Sequence, residues 1–210
     1  VEISANREWI LDSAKFQSVM EKCREIGTTE VIFSVKDTTG FALYPSAIAP
    51  HYAKYDSAFL LEKDYVEQCF SVIKGLGMKC FAAFDSFAGG NKEKPHPEMP
   101  AIAREGFACT VYGLDKDGKA VLRESVSAEG LHTVGSIDDF VEIFLNPAKK
   151  EVRDYTLSLL REFVEHYHPD GIVLDRVRYV GLSTDFSEES RKQWEKYSAV
   201  KDEKWPEDIY

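Results

Sequence analysis

The stretch Asp170-Gly171-Ile172-Val173-Leu174-Asp175-Arg176-Val177-Arg178-Tyr179 decides how this chain reads, because a short apolar run ends abruptly in a carboxylate followed by two guanidinium groups. Such a run predicts a strand buried on both faces, with polar chemistry at its C-terminal end. Immediately upstream, residues 151–166 carry apolar side chains at Val152, Tyr155, Leu159, Leu160 and Phe163, the spacing of a helix. The turn Tyr167-His168-Pro169-Asp170 then joins helix to strand, as αβ connections do in parallel sheets. In such sheets ligands bind at the carboxyl ends of the strands, which is where Asp175 falls.

Working outward, the same alternation recurs. Asp12-Ser13 predicts the cap of a helix with apolar positions Phe16, Val19, Met20, Cys23 and Ile26, stopped by Gly27. A strand is expected over 30–35, then a polar and aromatic loop over 36–46 and irregular chain to about residue 56. A helix is expected over 60–76, closed by Gly77, and a strand over 79–84 that ends at Asp85. Residues 86–105 are rich in Gly, Pro and Lys and read as a functional or mobile loop. The segments 107–112 and 119–123 flank the turn-rich Gly113-Leu114-Asp115-Lys116-Asp117-Gly118 and predict a β-hairpin, so 86–139 reads as a loop and hairpin insertion. A third barrel-type strand is expected over 140–145, with Asn146-Pro147 at its end and Pro147 opening the next helix. A last helix is expected from Phe186-Ser187-Glu188-Glu189 to about Tyr197.

This order predicts an α/β fold of TIM-barrel type: one domain over 1–210 with about four βα units, or half of a (βα)8 barrel, plus the hairpin insertion. The four strands are expected to lie parallel and adjacent, with Lys36/Asp37, Asp85, Asn146 and Asp175 converging at one end. A complete barrel usually needs about 250 residues, more than this chain supplies. The unpaired outer strands of a half barrel predict a homo-oligomer, a missing second half, or cover from the 1–28 and 86–139 segments.

Composition narrows the function. The 210 residues hold 26 Lys+Arg against 36 Asp+Glu, a net charge of −10 with no basic stripe, which disfavours a nucleic-acid partner. No apolar run approaches the length of a membrane span, and Val1-Glu2-Ile3-Ser4 lacks the layout of a signal peptide. Cys23, Cys69, Cys80 and Cys109 are widely spaced among apolar neighbours and read as buried thiols rather than metal ligands. His51, His96, His132, His166 and His168 form no paired ligand spacing, so no metal and no cofactor is expected. Gly75-Leu76-Gly77 follows a helix and precedes a strand, the reverse of a dinucleotide fingerprint, and reads as helix termination. Asp115-Lys116-Asp117-Gly118 lacks the later ligands of a calcium loop and reads as a turn. Asp175 itself has a structural alternative, as partner of Arg176 or Arg178 in an ion pair, and Asn146 could serve only as a helix cap.

Several motifs together resemble the bacterial glycoside-hydrolase-like (βα)8 proteins described as "family 10 glycosylhydrolase-like" or "alpha-amylase family protein", many of them exported. The resemblance spans residues 29–210. It rests on Val31-Ile32-Phe33-Ser34-Val35-Lys36 with Leu43-Tyr44-Pro45-Ser46, on Gly77-Met78-Lys79 leading to Phe87-Ala88-Gly89-Gly90, and on Phe144-Leu145-Asn146-Pro147-Ala148. Above all it rests on Asp170 to Tyr179 with Asp185-Phe186-Ser187, and Trp205-Pro206-Glu207-Asp208-Ile209 fits as well.

The resemblance implies a carbohydrate-active barrel, a periplasmic or extracellular location, and Asp175 at the fourth-strand position of the catalytic nucleophile. Val173 stands where the amylase clan normally has Arg, and Asp85 and Lys36 stand where close relatives often have Asn and Arg. The expected function is hydrolysis of O-glycosidic bonds, with Asp175 as nucleophile oriented by Arg178. Lys36, Asp37, Asp85, Asn146 and Arg176 are expected to contact the sugar, and Tyr44, Phe87 and Tyr179 to stack on it. The acid/base is expected on a strand beyond Tyr210. The alternative is a non-catalytic carbohydrate-binding or scaffold protein on a degenerate hydrolase barrel, which Val173 favours.

Overall fold

The computed structural model describes residues 1–115, 117–127, 130–131, 141–198 and 204–209. His132, Lys116, Phe140 and most of the stretch expected to lead into the strand at 140–145 therefore lie outside the described residues. In chain order the first elements are α1 (Arg7–Leu11), α2 (Ser13–Glu25), β1 (Glu30–Lys36), α3 (Tyr65–Gly75) and β2 (Lys79–Asp85). There follow β3 (Ala88–Asn91), α4 (Pro100–Ala103), β4 (Thr110–Leu114), β5 (Ala120–Glu124), β6 (Val126–Ser127), β7 (Gly130–Leu131) and β8 (Glu142–Phe144). The last are α5 (Lys150–Tyr167), β9 (Gly171–Asp175) and α6 (Glu188–Tyr197). The chain divides into two compact units, residues 1–86 with 157–177 and residues 87–156 with 178–210.

Helix boundaries follow the caps. Asp12 accepts from the Ala14 and Lys15 amides at 3.0 and 3.1 Å and starts α2 where the sequence predicts it. The expected helix over 60–76 begins later, because Asp64 caps it by accepting from the Glu67 amide at 2.9 Å. Gly27 and Gly77 close α2 and α3 at φ of 95° and 72°, a left-handed conformation that costs a side-chain-bearing residue about 1–2 kcal/mol.

In the first unit β1, β2 and β9 form a parallel sheet in the order β1-β2-β9. Asp170 pins β9 onto β2: its carboxyl accepts from the Cys80 amide at 2.8 Å, and its own amide donates to the Cys80 carbonyl at 2.9 Å. One face of the sheet is buried under helices across β1 and β2, whereas on β9 Leu174 of that face is exposed, so this strand is not buried on both faces as the sequence predicts. Phe33 of β1 meets Phe16 of α2 and Phe70 of α3 edge-on at 6.1 and 6.0 Å. Phe84 of β2 meets Phe163 of α5 at 5.2 Å, and Phe163 also packs on Tyr44 and Tyr167 at 5.1 and 4.6 Å. Each such ring pair adds about 0.5–1.5 kcal/mol beyond the area it buries. The opposite face carries Ile32, Phe81, Ala83 and Val173 and is less covered, with Ile32 exposed. Val1 occupies part of the outer edge of β1, its amino group donating to the Ile32 carbonyl and its carbonyl accepting from the Ser34 amide.

In the second unit the sequence expectation needs correction. The segment expected as a third parallel strand over 140–145 forms β8, which pairs antiparallel with β3 and not with the parallel sheet. β3 itself lies inside the stretch read as a loop without period. The reason is steric: a Cβ on Gly89 would stand 2.6 Å from a Leu145 methyl, and one on Gly90 would stand 2.9 Å from Ile143. Two residues without side chains thus let an apolar strand cross close over them. The described residues therefore do not form four adjacent parallel strands, and β9 stands third in sheet order. The hairpin of β4 and β5 is antiparallel as expected, and the Asp115 carboxyl accepts from the Asp117 and Lys119 amides, both at 2.9 Å, across its turn.

Candidate functional site

Asp175 is the last residue of β9, and Asp85, the last residue of β2, is its register partner. Alternation along parallel strands puts both side chains on the sheet face of Ala83 and Val173. Strands in a sheet lie about 4.7–4.9 Å apart, so the two carboxyl groups start from neighbouring backbone positions at the carboxyl end of the sheet. Asp175 is exposed, whereas Asp85 is largely buried.

The strand ends at Asp175 because Arg176 turns into the left-handed region, at φ 51°. The Asp175 carboxyl accepts from the Arg176 amide at 2.6 Å and caps that turn. The turn breaks the alternation that would have carried Arg176 to the opposite face. Its guanidinium instead reaches Asp85, with Nε 3.3 Å from Oδ1. Arg176, and not Arg178, is thus the arginine beside the strand-end carboxyl groups of this unit, and its ion pair is with Asp85. A side-chain-bearing residue held in this conformation at a strand end stores strain of about 1–3 kcal/mol, and such strain tends to occur at functional positions.

Lys36 ends β1, just after a register slip between Ser34 and Lys36 of the kind that re-aims a side chain. It is buried, and its ammonium donates to the Asp85 carbonyl at 2.5 Å. Burial pushes its pKa down to about 8, against the pull of Asp85 and Asp37. Burial likewise pushes Asp85 up to about 6; Lys36 and Arg176 oppose the rise, and Asp175 and Asp37 add to it. The Asp37 carboxyl is raised by burial and opposed by Thr39, whose amide donates to it at 3.0 Å and whose hydroxyl also bonds it. Tyr44, expected to stack on a sugar, lies in the core with Phe163 and Tyr167.

The remaining expected site residues belong to the second unit. Asn146 has no solvent exposure. Its amide nitrogen donates to Asp185 at 2.8 Å and Ser187 at 2.9 Å, and its oxygen accepts from the Ala148 amide at 2.9 Å. Asp185 is the centre of this network: it also accepts from the Thr110 amide at 2.7 Å and from the Ser187 and Ser190 hydroxyls. The sequence reading assigned Asp185 no role; the spacing Asp185, Ser187, Ser190 at the start of α6 is the signal that could have found it. Arg178 donates to the Tyr179 and Val180 carbonyls at 3.1 and 3.2 Å and lies over the Phe144 ring at 5.4 Å. Tyr179 borders a groove of about 570 Å³ shared with Phe186, Trp194, Trp205 and Ile209. Phe87 is half-buried, and its carbonyl accepts from the Leu145 amide at 2.7 Å.

Cys69, Cys80 and Cys109 are buried free thiols, and burial pushes the first two up to about 12, so they are poor nucleophiles. Among the described residues no group of three or more His, Cys, Asp or Glu side chains could hold a metal ion.

No protein-family model matches the chain. An S-layer-related protein of Niallia circulans is 25% identical over 220 residues, a match that takes in 100% of this chain and 13% of the relative. Among solved structures, the α-L-fucosidase isoenzyme 2 of Paenibacillus thiaminolyticus superposes with a TM-score of 0.57 at 18% identity, over 94% of this chain and 24% of the enzyme. A hypothetical protein of Ruminiclostridium thermocellum ATCC 27405 superposes with a TM-score of 0.53 at 15% identity, over 91% of both chains. The chain therefore shares its fold with part of the fucosidase, and it spans about a quarter of that enzyme and about an eighth of the S-layer-related protein.

Proposed function

We propose that this chain is part of a carbohydrate-active module of a cell-surface or exported protein, and that the module hydrolyses O-glycosidic bonds at the carboxyl end of its parallel sheet. The observation that carries this is the cluster of Lys36, Asp85, Asp175 and Arg176 at three neighbouring strand ends, the address at which parallel α/β folds bind ligands. The fold shared with part of a fucosidase supports a carbohydrate substrate, and the S-layer-related relative supports a surface location. Among the described residues no helix is long and apolar enough to cross a membrane.

In this site Asp175 is the nucleophile. It is exposed to an incoming sugar, and its carboxyl is held at the strand end by the Arg176 amide. Arg176 and Lys36 balance the negative charge that the two aspartates bring together. The full-length protein should turn over aryl glycosides, with 4-nitrophenyl α-L-fucoside first in the panel. Asp175→Asn should lower kcat/KM at least about 10³-fold, because an amide is nearly isosteric with a carboxylate but is a poor nucleophile. Turnover unchanged by Asp175→Asn would remove the nucleophile assignment.

A second reading, a binding module without turnover, is favoured by one observation: Val173 replaces the arginine that usually stands two residues before such a nucleophile. Glycan binding that survives Asp175→Asn, in a wild-type protein that hydrolyses nothing, would select it.

A further inference from the structure

We infer that Asp85 is the second catalytic carboxyl group of this site, delivering a proton to the glycosidic oxygen while Asp175 attacks the anomeric carbon. The inference rests on the proposed glycosidase reading and supplies what that reading lacked, since the acid/base was expected beyond Tyr210.

Three observations carry it. Asp85 and Asp175 are register partners on adjacent parallel strands, so their side chains leave neighbouring backbone positions on one face of the sheet. Retaining glycosidases place their two carboxyl groups about 5–5.5 Å apart, whereas inverting enzymes leave room for a water between them. The environments of the two also differ as an acid and a nucleophile require: Asp85 is largely buried beside the apolar face, and Asp175 is exposed. Finally, the charged groups that act on Asp85 among the described residues are Lys36 and Asp37 from the end of β1, and Asp175 and Arg176 from the end of β9. The two cations oppose its rise in pKa and the two carboxyl groups add to it; burial, the largest cause, leaves it protonated up to about pH 6. An acid poised there gives up its proton near neutrality.

The chemistry balances within these two residues and water. An Asp175 oxygen bonds to the anomeric carbon while the glycosidic C–O bond breaks, its electron pair passing to the leaving oxygen, which takes the proton of Asp85. The Asp85 carboxylate then removes a proton from water. That water bonds to the anomeric carbon, the ester C–O bond breaks, and its electron pair returns to Asp175. The product keeps its anomeric configuration.

The test uses the full-length protein, Asp85→Asn and Asp175→Asn, on phenyl and 2,4-dinitrophenyl glycosides of the sugar that wild type accepts. A dinitrophenolate leaves without protonation, so in kcat/KM, which reports the first step, Asp85→Asn should lose about 10³-fold on the phenyl glycoside but less than about 10-fold on the dinitrophenyl one, whose kcat falls because the second step lacks its base. Added azide should restore turnover of the dinitrophenyl glycoside as a glycosyl azide, and the alkaline limb of the wild-type kcat/KM profile should vanish. Asp175→Asn should abolish turnover of both. Equal losses of Asp85→Asn on both glycosides, or an inverted product, overturn the role of Asp85 while leaving Asp175 in place. Full activity of Asp175→Asn, or a wild type that turns over neither glycoside of any sugar tried, overturns the glycosidase reading itself and the inference with it. Asp85→Glu should recover part of the phenyl-glycoside activity that Asp85→Asn loses; recovery no better than in the amide variant counts against proton transfer.

Discussion

Replacing Asp185 by alanine tests whether the second unit is held together by one buried carboxyl group. Its oxygens accept from the Thr110 amide at 2.7 Å, the Asn146 amide nitrogen at 2.8 Å, and the hydroxyls of Ser187 and Ser190. The two hydroxyls can rotate to other acceptors, and Asn146 keeps its bond to Ser187. The Thr110 amide and one Asn146 hydrogen have no such recourse, and the Ser187 amide also loses its longer bond of 3.3 Å. A buried donor left without an acceptor costs about 1–3 kcal/mol, so Asp185→Ala should destabilise the unit by about 4 kcal/mol. With a urea m-value of about 2 kcal/mol/M, the midpoint should fall by about 2 M. Trp194 and Trp205 lie 5.9 Å apart in this unit, and Trp205 lies 5.2 Å from Phe186, next to Asp185 in sequence. Their fluorescence in a Trp9→Phe background is therefore the probe. Asp185→Asn should lose nearly as much, because its new amide must face either Thr110 or Asn146 with donor against donor. A loss below about 1 kcal/mol in both variants would refute the account of Asp185 as the buried organiser of this unit.

Two further outcomes follow from the first unit. A Cβ on Gly171 would stand 2.6 Å from the Phe81 ring, its register partner on β2, so Gly171→Ala should cost about 1–3 kcal/mol by overpacking; a variant that melts with wild type would refute that contact. Linkage separates Lys36 from Asp85. The pKa of Lys36 is depressed on folding from 10.5 to about 8, so its contribution is present above about pH 10.5 and lost as pH falls through 8. The pKa of Asp85 is raised from 3.8 to about 6, so its contribution is present below about pH 3.8 and lost as pH rises through 6. In urea midpoints measured against pH, Lys36→Met should flatten the wild-type rise between pH 8 and 10.5, and Asp85→Asn should flatten the fall between pH 4 and 6; unchanged slopes would contradict the buried placement of these two groups.

Much of the local structure was legible in the sequence because it is set by neighbours along the chain. The 3.6-residue period of α2 and α5, the Asp12 and Ser187 caps, the glycine stops at 27 and 77, and the turn at Asp115 all depend on contacts within a few residues. The apolar run ending in Asp175 likewise specified a parallel strand, but not its burial: the strand is nowhere fully buried and Leu174 is exposed, because β9 lies at the end of the order β1-β2-β9. Strand pairing was decided elsewhere. Residues 142–144 have the composition of a barrel strand, yet they pair with Ala88–Asn91, because Gly89 and Gly90 offer a surface that only the folded chain brings to them. The partner of Arg176 was equally out of reach: a left-handed turn at one residue reverses the alternation on which the sequence assigned its face, and Asp85 receives it from 91 positions earlier. Residue types and their period fix which segments become helix or strand; which carboxyl groups share a face, and which arginine meets them, depend on register and on one backbone angle, and these are settled only when distant segments pack.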